Sequence, residues 1–182
     1  MNDASQRDRQ LDLLRLQREF DQRFAVAATS GDSEFEGVLV IRVGALFYAV
    51  RARETNGIAT TVGANGVPSP MPELEGLIGL RGALVPLFRL AALVGSGEAP
   101  EPSRWVIVIG RDEPVGLGFQ DPDGYYKVPI AALVPTGDAR VSGAFVREIA
   151  NVGMRRLPVL DIPLLVTELG RRIARERERK DG

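Results

Sequence analysis

The sequence predicts a mostly-β protein with an α-helix near each end of the chain. Between residues 35 and 160 the apolar residues form short runs rich in valine, separated by glycine, proline and aspartate, as in sheet proteins. This region lacks the repeated crossover helices of a parallel sheet, so a barrel or sandwich is favoured. Apolar residues at helical spacing stand before and after this region.

The N-terminal helix is predicted within residues 5–28. Its apolar residues recur at spacings of three, four and four positions, at Leu13, Leu16, Phe20 and Phe24. This spacing places them on one helix face, while small and polar residues up to Ser33 predict a linker. Residues 1–30 are therefore expected to be a helix and linker. The apolar stripe is expected to dock on the chain's own domain, with a partner helix as the alternative.

Eight segments of the central region have the composition of β-strands. They are Val38–Val43, Leu46–Val50, Ala83–Phe88, Trp105–Ile109, Val115–Phe119, Tyr125–Val128, Phe145–Asn151 and Arg156–Leu160. Gly44-Ala45, between the first two, predicts a tight hairpin. Turns are predicted at Gly110–Pro114 and Asp121–Gly124, and an exposed loop at Gly95–Pro102.

The C-terminal helix is predicted after Asp161, where Leu165, Leu169 and Ile173 fall on one face. The charged run that follows alternates in sign, which is typical of a solvated helix face. Residues 170–182 are therefore expected to be a charged helical tail.

Composition excludes several classes of function. The chain has no cysteine and no histidine, which rules out thiolate sites and histidine-dependent catalysis. With 23 basic and 24 acidic side chains, the sequence gives no reason to expect a nucleic-acid partner. A signal peptide and a long apolar segment are not recognised, so we expect a cytoplasmic protein without direct membrane insertion.

Three patterns in the sequence partly resemble chemical sites. Asp121 and Asp123 lack the other ligands of a calcium loop and are interpreted as a turn. The glycines at 76, 79 and 82 do not follow the dinucleotide pattern. The acidic residues beside glycine or proline are interpreted as surface loop, namely Glu73, Glu75, Glu98 and Glu101. No catalytic, cofactor or metal site is therefore expected.

Two segments resemble the CheW family of chemotaxis adaptors. Residues 75–90, EGLIGLRGALVPLFRL, resemble the signature in which G-x-I-N-L-R-G leads into a strand ending V-P-V-x-D-L. Residues 157–165, LPVLDIPLL, are similar to the family's closing strand and helix start. With weaker agreement elsewhere, the resemblance covers residues 34–169.

The resemblance implies a fold and a function. The fold would be two five-stranded SH3-like β-barrels on a shared core, with added N- and C-terminal helices. The function would be a non-catalytic adaptor that couples the signalling tip of a chemoreceptor to the regulatory domain of a CheA-type histidine kinase. Apolar barrel ends would dock the kinase, and a groove between the barrels would receive the receptor. The alternatives are coupling in a chemotaxis-like pathway for surface motility, development or gene expression, and a small β-barrel ligand-binding protein or enzyme.

The partner-binding residues expected on this basis are Leu80, Arg81 and Val85. In the family the arginine of the signature is associated with the interaction surface. Three positions depart from the family pattern: Gly79 replaces an asparagine, Arg89 replaces an aspartate, and Gln120 stands where an aspartate is common. These departures suggest an atypical, dedicated partner.

Overall fold

A computed structural model describes residues 34–61, 64–95, 102–136 and 145–181. The predicted N-terminal helix and linker, and most of the loop predicted at Gly95–Pro102, lie outside these residues. Nothing in the structure therefore tests those two predictions.

Eleven strands and two α-helices make up the described chain. The strands are β1 Phe35–Val43, β2 Leu46–Arg51, β3 Gly57–Thr60, β4 Leu74–Leu80, β5 Ala83–Arg89, β6 Trp105–Ile109, β7 Val115–Phe119, β8 Asp121–Pro129, β9 Leu133–Pro135, β10 Val146–Val152 and β11 Arg155–Leu160. The helices are α1 Leu90–Val94 and α2 Ile162–Asp181, and short 3-10 helices span Ala52–Glu54 and Ile130–Ala132. All eight predicted strands are present.

The strands form two sheets, which confirms the predicted mostly-β architecture. The first sheet has the order β8-β1-β2-β11-β10-β9 and the second β3-β6-β7-β5-β4. The second sheet therefore has the expected five strands, whereas the first sheet has six because it also includes the short strand β9. Neighbouring strands are antiparallel except for β2 with β11 and β5 with β7, which are parallel. The predicted hairpin at Gly44-Ala45 is confirmed, since Val43 lies opposite Leu46.

A shared apolar layer lies between the two sheets. Along β1, Leu39 and Ile41 face this layer, where they join Phe119 and Trp105 of the second half of the chain. The intervening Val38 and Val40 face a separate cluster enclosed by the first sheet. Strand β1 is therefore buried on both faces, which explains its almost continuous apolar sequence.

Each sheet also encloses a core of its own. The first sheet curls around its cluster until β8 contacts β10. The second encloses Ile78, Val85, Leu87 and Val106. Residues from its two edge strands, β3 and β4, pack against that same cluster, so this sheet curls as well. Two small barrels thus share one layer, as the resemblance implied.

One end of the first barrel is closed by an ion network. The Arg51 guanidinium donates two hydrogen bonds to the Glu148 carboxylate, at 2.8 and 2.7 Å. Glu36 lies 3.4 Å from Arg51 and 3.1 Å from Arg53. Glu36 and Glu148 are both buried, and such partners offset the cost of removing a carboxylate from water.

A second set of charges joins the two sheets. Asp121, the first residue of β8, accepts hydrogen bonds from Arg42 of β1 and from Arg104, next to β6 of the second sheet. Burial opposes ionisation of this carboxyl, but the two guanidinium groups outweigh that effect and lower the pKa of Asp121.

The turn predicted at Asp121–Gly124 is wrong, because these residues belong to β8. Val40 lies opposite Gly124 and Ile41 opposite Pro122, so Asp123 is an extra residue in the ladder. It forms a β-bulge, which uses the same residue types as a turn while continuing the strand.

The C-terminal helix α2 begins as the sequence predicted. Asp161 caps it, since its carboxylate accepts a hydrogen bond from the Leu164 backbone N–H at 2.9 Å. Leu165 and Leu169 are buried in the shared layer. Farther along, Arg172 pairs with Glu73 at 2.6 Å, which ties the helix to the residue that precedes β4.

Adjacent leucines of α2 provide a test of the shared layer. Leu165 is 1% exposed and Leu164 is 44% exposed. We expect Leu165→Ala to lower the free energy of unfolding by about 3 kcal/mol, because it leaves a cavity in the layer. Leu164→Ala, the matched control, should change it by less than about 0.5 kcal/mol. Urea unfolding measures both, and equal losses would contradict the described orientation of the helix.

The Asp121 ion pairs predict a pH dependence of stability. Because its folded pKa is lowered, Asp121 stabilises the fold fully above its unfolded pKa of about 4, and this contribution disappears as the pH falls through the folded value. Asp121→Asn should cost about 1 kcal/mol at pH 7 and progressively less below pH ~4. Urea unfolding between pH 7 and 3 measures this difference. Asp112→Asn, in an exposed turn, is the control, and a pH-independent loss in Asp121→Asn would contradict the ion-pair role.

Candidate functional site

The β4–β5 hairpin carries the residues predicted to bind a partner. Leu80 lies opposite Ala83, so Arg81 and Gly82 alone form the turn. Their φ angles are 49° and 83°, the left-handed values of a two-residue hairpin turn. Among the described residues Arg81 is the one non-glycine with positive φ. The turn therefore holds an arginine in a conformation that usually favours glycine or asparagine.

The structure separates the three predicted site residues. Arg81 is exposed at the turn and makes no hydrogen bond or ion pair with the described part of the chain. Leu80 is partly buried against the core of the second barrel. Val85 is 1% exposed and belongs to that core, so its side chain cannot face a partner as expected. Arg81 is the predicted residue that is available at the surface.

Leu84 is an exposed residue of the same hairpin that was not among the predicted partner-binding residues. Its side chain is 75% exposed. It lies opposite Gly79, where a Cβ would have no atom within 4 Å. The period of two along β5 could have found it, since a buried Val85 requires its neighbour to point outward. Arg81, Leu84 and the bare backbone of Gly79 together form a surface that we name the hairpin tip.

The segment before the tip is a strand rather than the expected loop. Glycine is disfavoured in strands, which is why β4 was not among the predicted strands. At Gly76 it is required, because φ is 156° and a Cβ would lie 2.2 Å from the Asn65 carbonyl oxygen. Asn65 and Leu77 exchange backbone hydrogen bonds at 2.9 Å, so the chain at Asn65 covers the outer edge of β4.

Arg89, which replaces the aspartate of the family pattern, has its charge paired within the chain. Its Nε lies 3.7 Å from the Glu75 carboxylate, and its side chain is 20% exposed. Glu75 in turn accepts hydrogen bonds from the Ser103 backbone N–H at 2.8 Å and from its hydroxyl at 2.6 Å. Glu75, expected in a surface loop, therefore neutralises Arg89 and anchors the segment before β6.

The departure at Gln120 is also accounted for by internal hydrogen bonds. Gln120 is 3% exposed. Its side-chain oxygen accepts a hydrogen bond from Gly44 N–H at 2.8 Å, and its own backbone N–H donates to the Arg42 carbonyl at 3.2 Å. Gln120 thus fixes the β1–β2 turn beside the start of β8, and its amide is not available to a partner.

A second candidate surface lies at the end of the first barrel opposite the Arg51 network. Because β2 and β11 are parallel neighbours, both begin at this end. The Arg155 guanidinium stands 5.7 Å from the Phe47 ring and 5.9 Å from the Tyr126 ring, and it pairs with Asp123 at 2.6 Å. The hydrogen bond from Arg155 lowers the pKa of Asp123.

Exposed apolar side chains flank this arginine. Leu46 is 55% exposed, Phe47 37%, and Met154, in the β10–β11 turn, is fully exposed. We name Leu46, Phe47, Met154 and Arg155 the aromatic end. Exposed apolar groups around a fixed arginine have the composition of a protein interface, and they fit the expectation of apolar barrel ends.

Within the described ranges no group of three or more His, Cys, Asp or Glu side chains could hold a metal ion. No helix of the described chain is both long and apolar enough to cross a membrane.

Comparison with known proteins gives concordant matches. The family model for the CheW-like domain matches residues 37–170. A probable chemotaxis protein CheW of Rhizobium etli is 26% identical over 142 residues, which are 76% of this chain and 90% of that protein. The crystal structure of the scaffolding protein TtCheW from Thermoanaerobacter tengcongensis has a TM-score of 0.64 at 18% identity, covering 72% of this chain and 92% of that one. The structural match shows a shared fold.

The glycines of β4 allow a matched test of the hairpin's geometry. Gly76→Ala should lower the free energy of unfolding by about 2–4 kcal/mol, because the new Cβ collides with the Asn65 backbone. Gly79→Ala faces open space and should change it by less than about 1 kcal/mol. Thermal unfolding of both variants measures the difference, and a tolerated Gly76→Ala would show that Asn65 does not cover the edge.

Proposed function

This chain belongs to the CheW-like domain family, and we propose that it is a chemotaxis adaptor that couples a chemoreceptor to a CheA-type histidine kinase by binding alone. The family match over residues 37–170 supports this proposal. The relatives named for chemotaxis and scaffolding point to the same class of function. The single structural observation that carries the choice of site is Arg81, exposed on a strained turn without a partner in the described chain.

The hairpin tip supports the proposal because its arginine and its leucine are both available to a partner. An arginine that fixed its own loop would be bonded to it, whereas Arg81 contributes no such bond to the described fold. A planar guanidinium beside an exposed leucine can form paired hydrogen bonds and apolar contact with the same partner. Leu84 therefore replaces Val85 as the apolar member of the proposed site, and Leu80 supports the turn from beneath.

The aromatic end supports a second contact. It lies on the first barrel, whereas the hairpin tip lies on the second. Separate surfaces on two barrels would let one adaptor hold two proteins at once, which a coupling function requires. We assign the aromatic end to the kinase's regulatory domain, following the expectation that apolar barrel ends dock the kinase. We assign the hairpin tip, in place of the expected groove between the barrels, to the receptor's signalling tip.

The alternatives make different demands on the same surfaces. A chemotaxis-like pathway for surface motility, development or gene expression would use the same adaptor chemistry with other partners. The compensated departures at Arg89 and Gln120 favour neither pathway, because both side chains are engaged inside the chain. An enzyme or ligand-binding protein would instead need converging polar groups in a concavity.

Arg81→Ala provides the direct test. It should weaken binding of the chemoreceptor signalling fragment from the same organism by roughly tenfold or more, as for an interfacial arginine. The melting temperature should change little, because the described chain makes no bond to this side chain. Arg156→Ala is the matched control. Arg156 is also exposed, but it lies on the other sheet and no partner is assigned to it.

Binding is measured by titration calorimetry with the purified receptor fragment and, separately, with the kinase regulatory domain. If the wild-type chain bound neither the receptor fragment nor the kinase regulatory domain, the adaptor proposal would be overturned. Wild-type binding that Arg81→Ala leaves unchanged would instead overturn the assignment of the site while leaving the adaptor function intact.

A further inference from the structure

A third exposed apolar surface lies at the start of β1, and neither proposed contact uses it. Phe35 is 48% exposed, Ile130 is 50% exposed and Val134 is 45% exposed. Pro129 and Pro135 beside them are exposed as well. We name these five residues the entry patch, because the chain enters the first sheet here.

Backbone pairing brings the entry patch together from three elements. Phe35 of β1 lies opposite Pro129 of β8. The Ile130 N–H donates to the Glu34 carbonyl at 2.9 Å. The 3-10 helix Ile130–Ala132 leads directly into β9, where Leu133 is buried and Val134 points outward. The apolar side chains therefore stand around the point from which the preceding chain must leave.

The preceding chain carries the apolar stripe that is expected to dock on the chain's own domain. Residues 1–33 contain four large apolar side chains at helical spacing, namely Leu13, Leu16, Phe20 and Phe24. Ten residues connect Phe24 to Phe35, a link that spans up to roughly 35 Å when extended. A short link keeps the stripe at a high effective concentration near the patch, so ordering it costs little in loop entropy.

We propose that the N-terminal stripe packs on the entry patch and covers it. Both surfaces are apolar, and their contact would remove Phe20 and Ile130 from water together. The other exposed apolar surface of the first barrel, the aromatic end, is less suitable. It lies at the far end of β1, about 26 Å from Phe35 for a nine-residue strand, so the link would have to stretch to about three quarters of its maximum span.

The proposal assigns residues 1–33 to the chain's own domain rather than to a partner. It leaves the hairpin tip and the aromatic end free, so it does not depend on the proposed adaptor function. Packing of the stripe would cover the end of the first barrel at which β1 begins and β8 ends.

Disulfide trapping tests the contact in the full-length protein. The natural chain has no cysteine, so a pair of introduced cysteines reports on one contact. Under mild oxidation, the double variant with Phe20→Cys and Ile130→Cys should form an intrachain disulfide. Its rate should be at least ten times that of the double variant with Phe20→Cys and Met154→Cys. The Met154 position is fully exposed at the far end of β1, and it controls for random encounters of the N-terminal segment.

Further substitutions identify the force that holds the contact. Adding Leu16→Asp to the Phe20/Ile130 cysteine pair should slow disulfide formation to the control rate, because it places a carboxylate in the stripe. Adding Arg15→Asp, off the stripe, should leave the fast rate unchanged. Non-reducing electrophoresis separates intrachain from interchain products. Equal rates for the two cysteine pairs, or disulfides formed mainly between chains, would overturn the proposal.

Discussion

The shared apolar layer between the two sheets is the constraint on which the rest of the structure depends. Two curled sheets of this size enclose small cores, and one face of each would remain exposed without the other. The layer joins Leu39 and Ile41 of the first sheet to Phe119 of the second, and α2 adds Leu165 and Leu169. The barrels and the helix are therefore stabilised as one unit, so the position of each barrel end relative to the other follows from this packing.

Charged side chains occupy the positions at which the apolar cores meet water. The network of Arg51, Glu36 and Glu148 closes one end of the first barrel, and Arg155 stands over the other. In the second barrel Glu75 joins Arg89 and Ser103. The guanidinium of each of these arginines lies within ion-pair distance of a carboxylate. Arg81 differs from these residues, since it makes no such pair in the described chain.

This contrast gives a physical criterion for separating structural from functional charges. Arg89 and Gln120 depart from the family pattern, yet both are held by hydrogen bonds or ion pairs inside the fold. Leu84 follows ordinary strand alternation but stands exposed beside an open glycine. The departures at Arg89 and Gln120 are thus absorbed by the architecture, whereas the exposed side chains of the hairpin tip are the ones that we propose bind a partner.

The sequence by itself determined the mostly-β class, eight strands and the C-terminal helix, because apolar periodicity is a local signal. The family signature also pointed to the hairpin that presents Arg81. Tertiary structure decided what depends on long-range pairing. Glycine is required at position 76 of β4 because the Asn65 backbone approaches it closely, and Asp123 is a bulge because β8 pairs with β1. Alternation along β5 places Val85 and Leu84 on opposite faces. Which of the two faces is buried depends on how the sheet curls, and no local pattern contains that curvature.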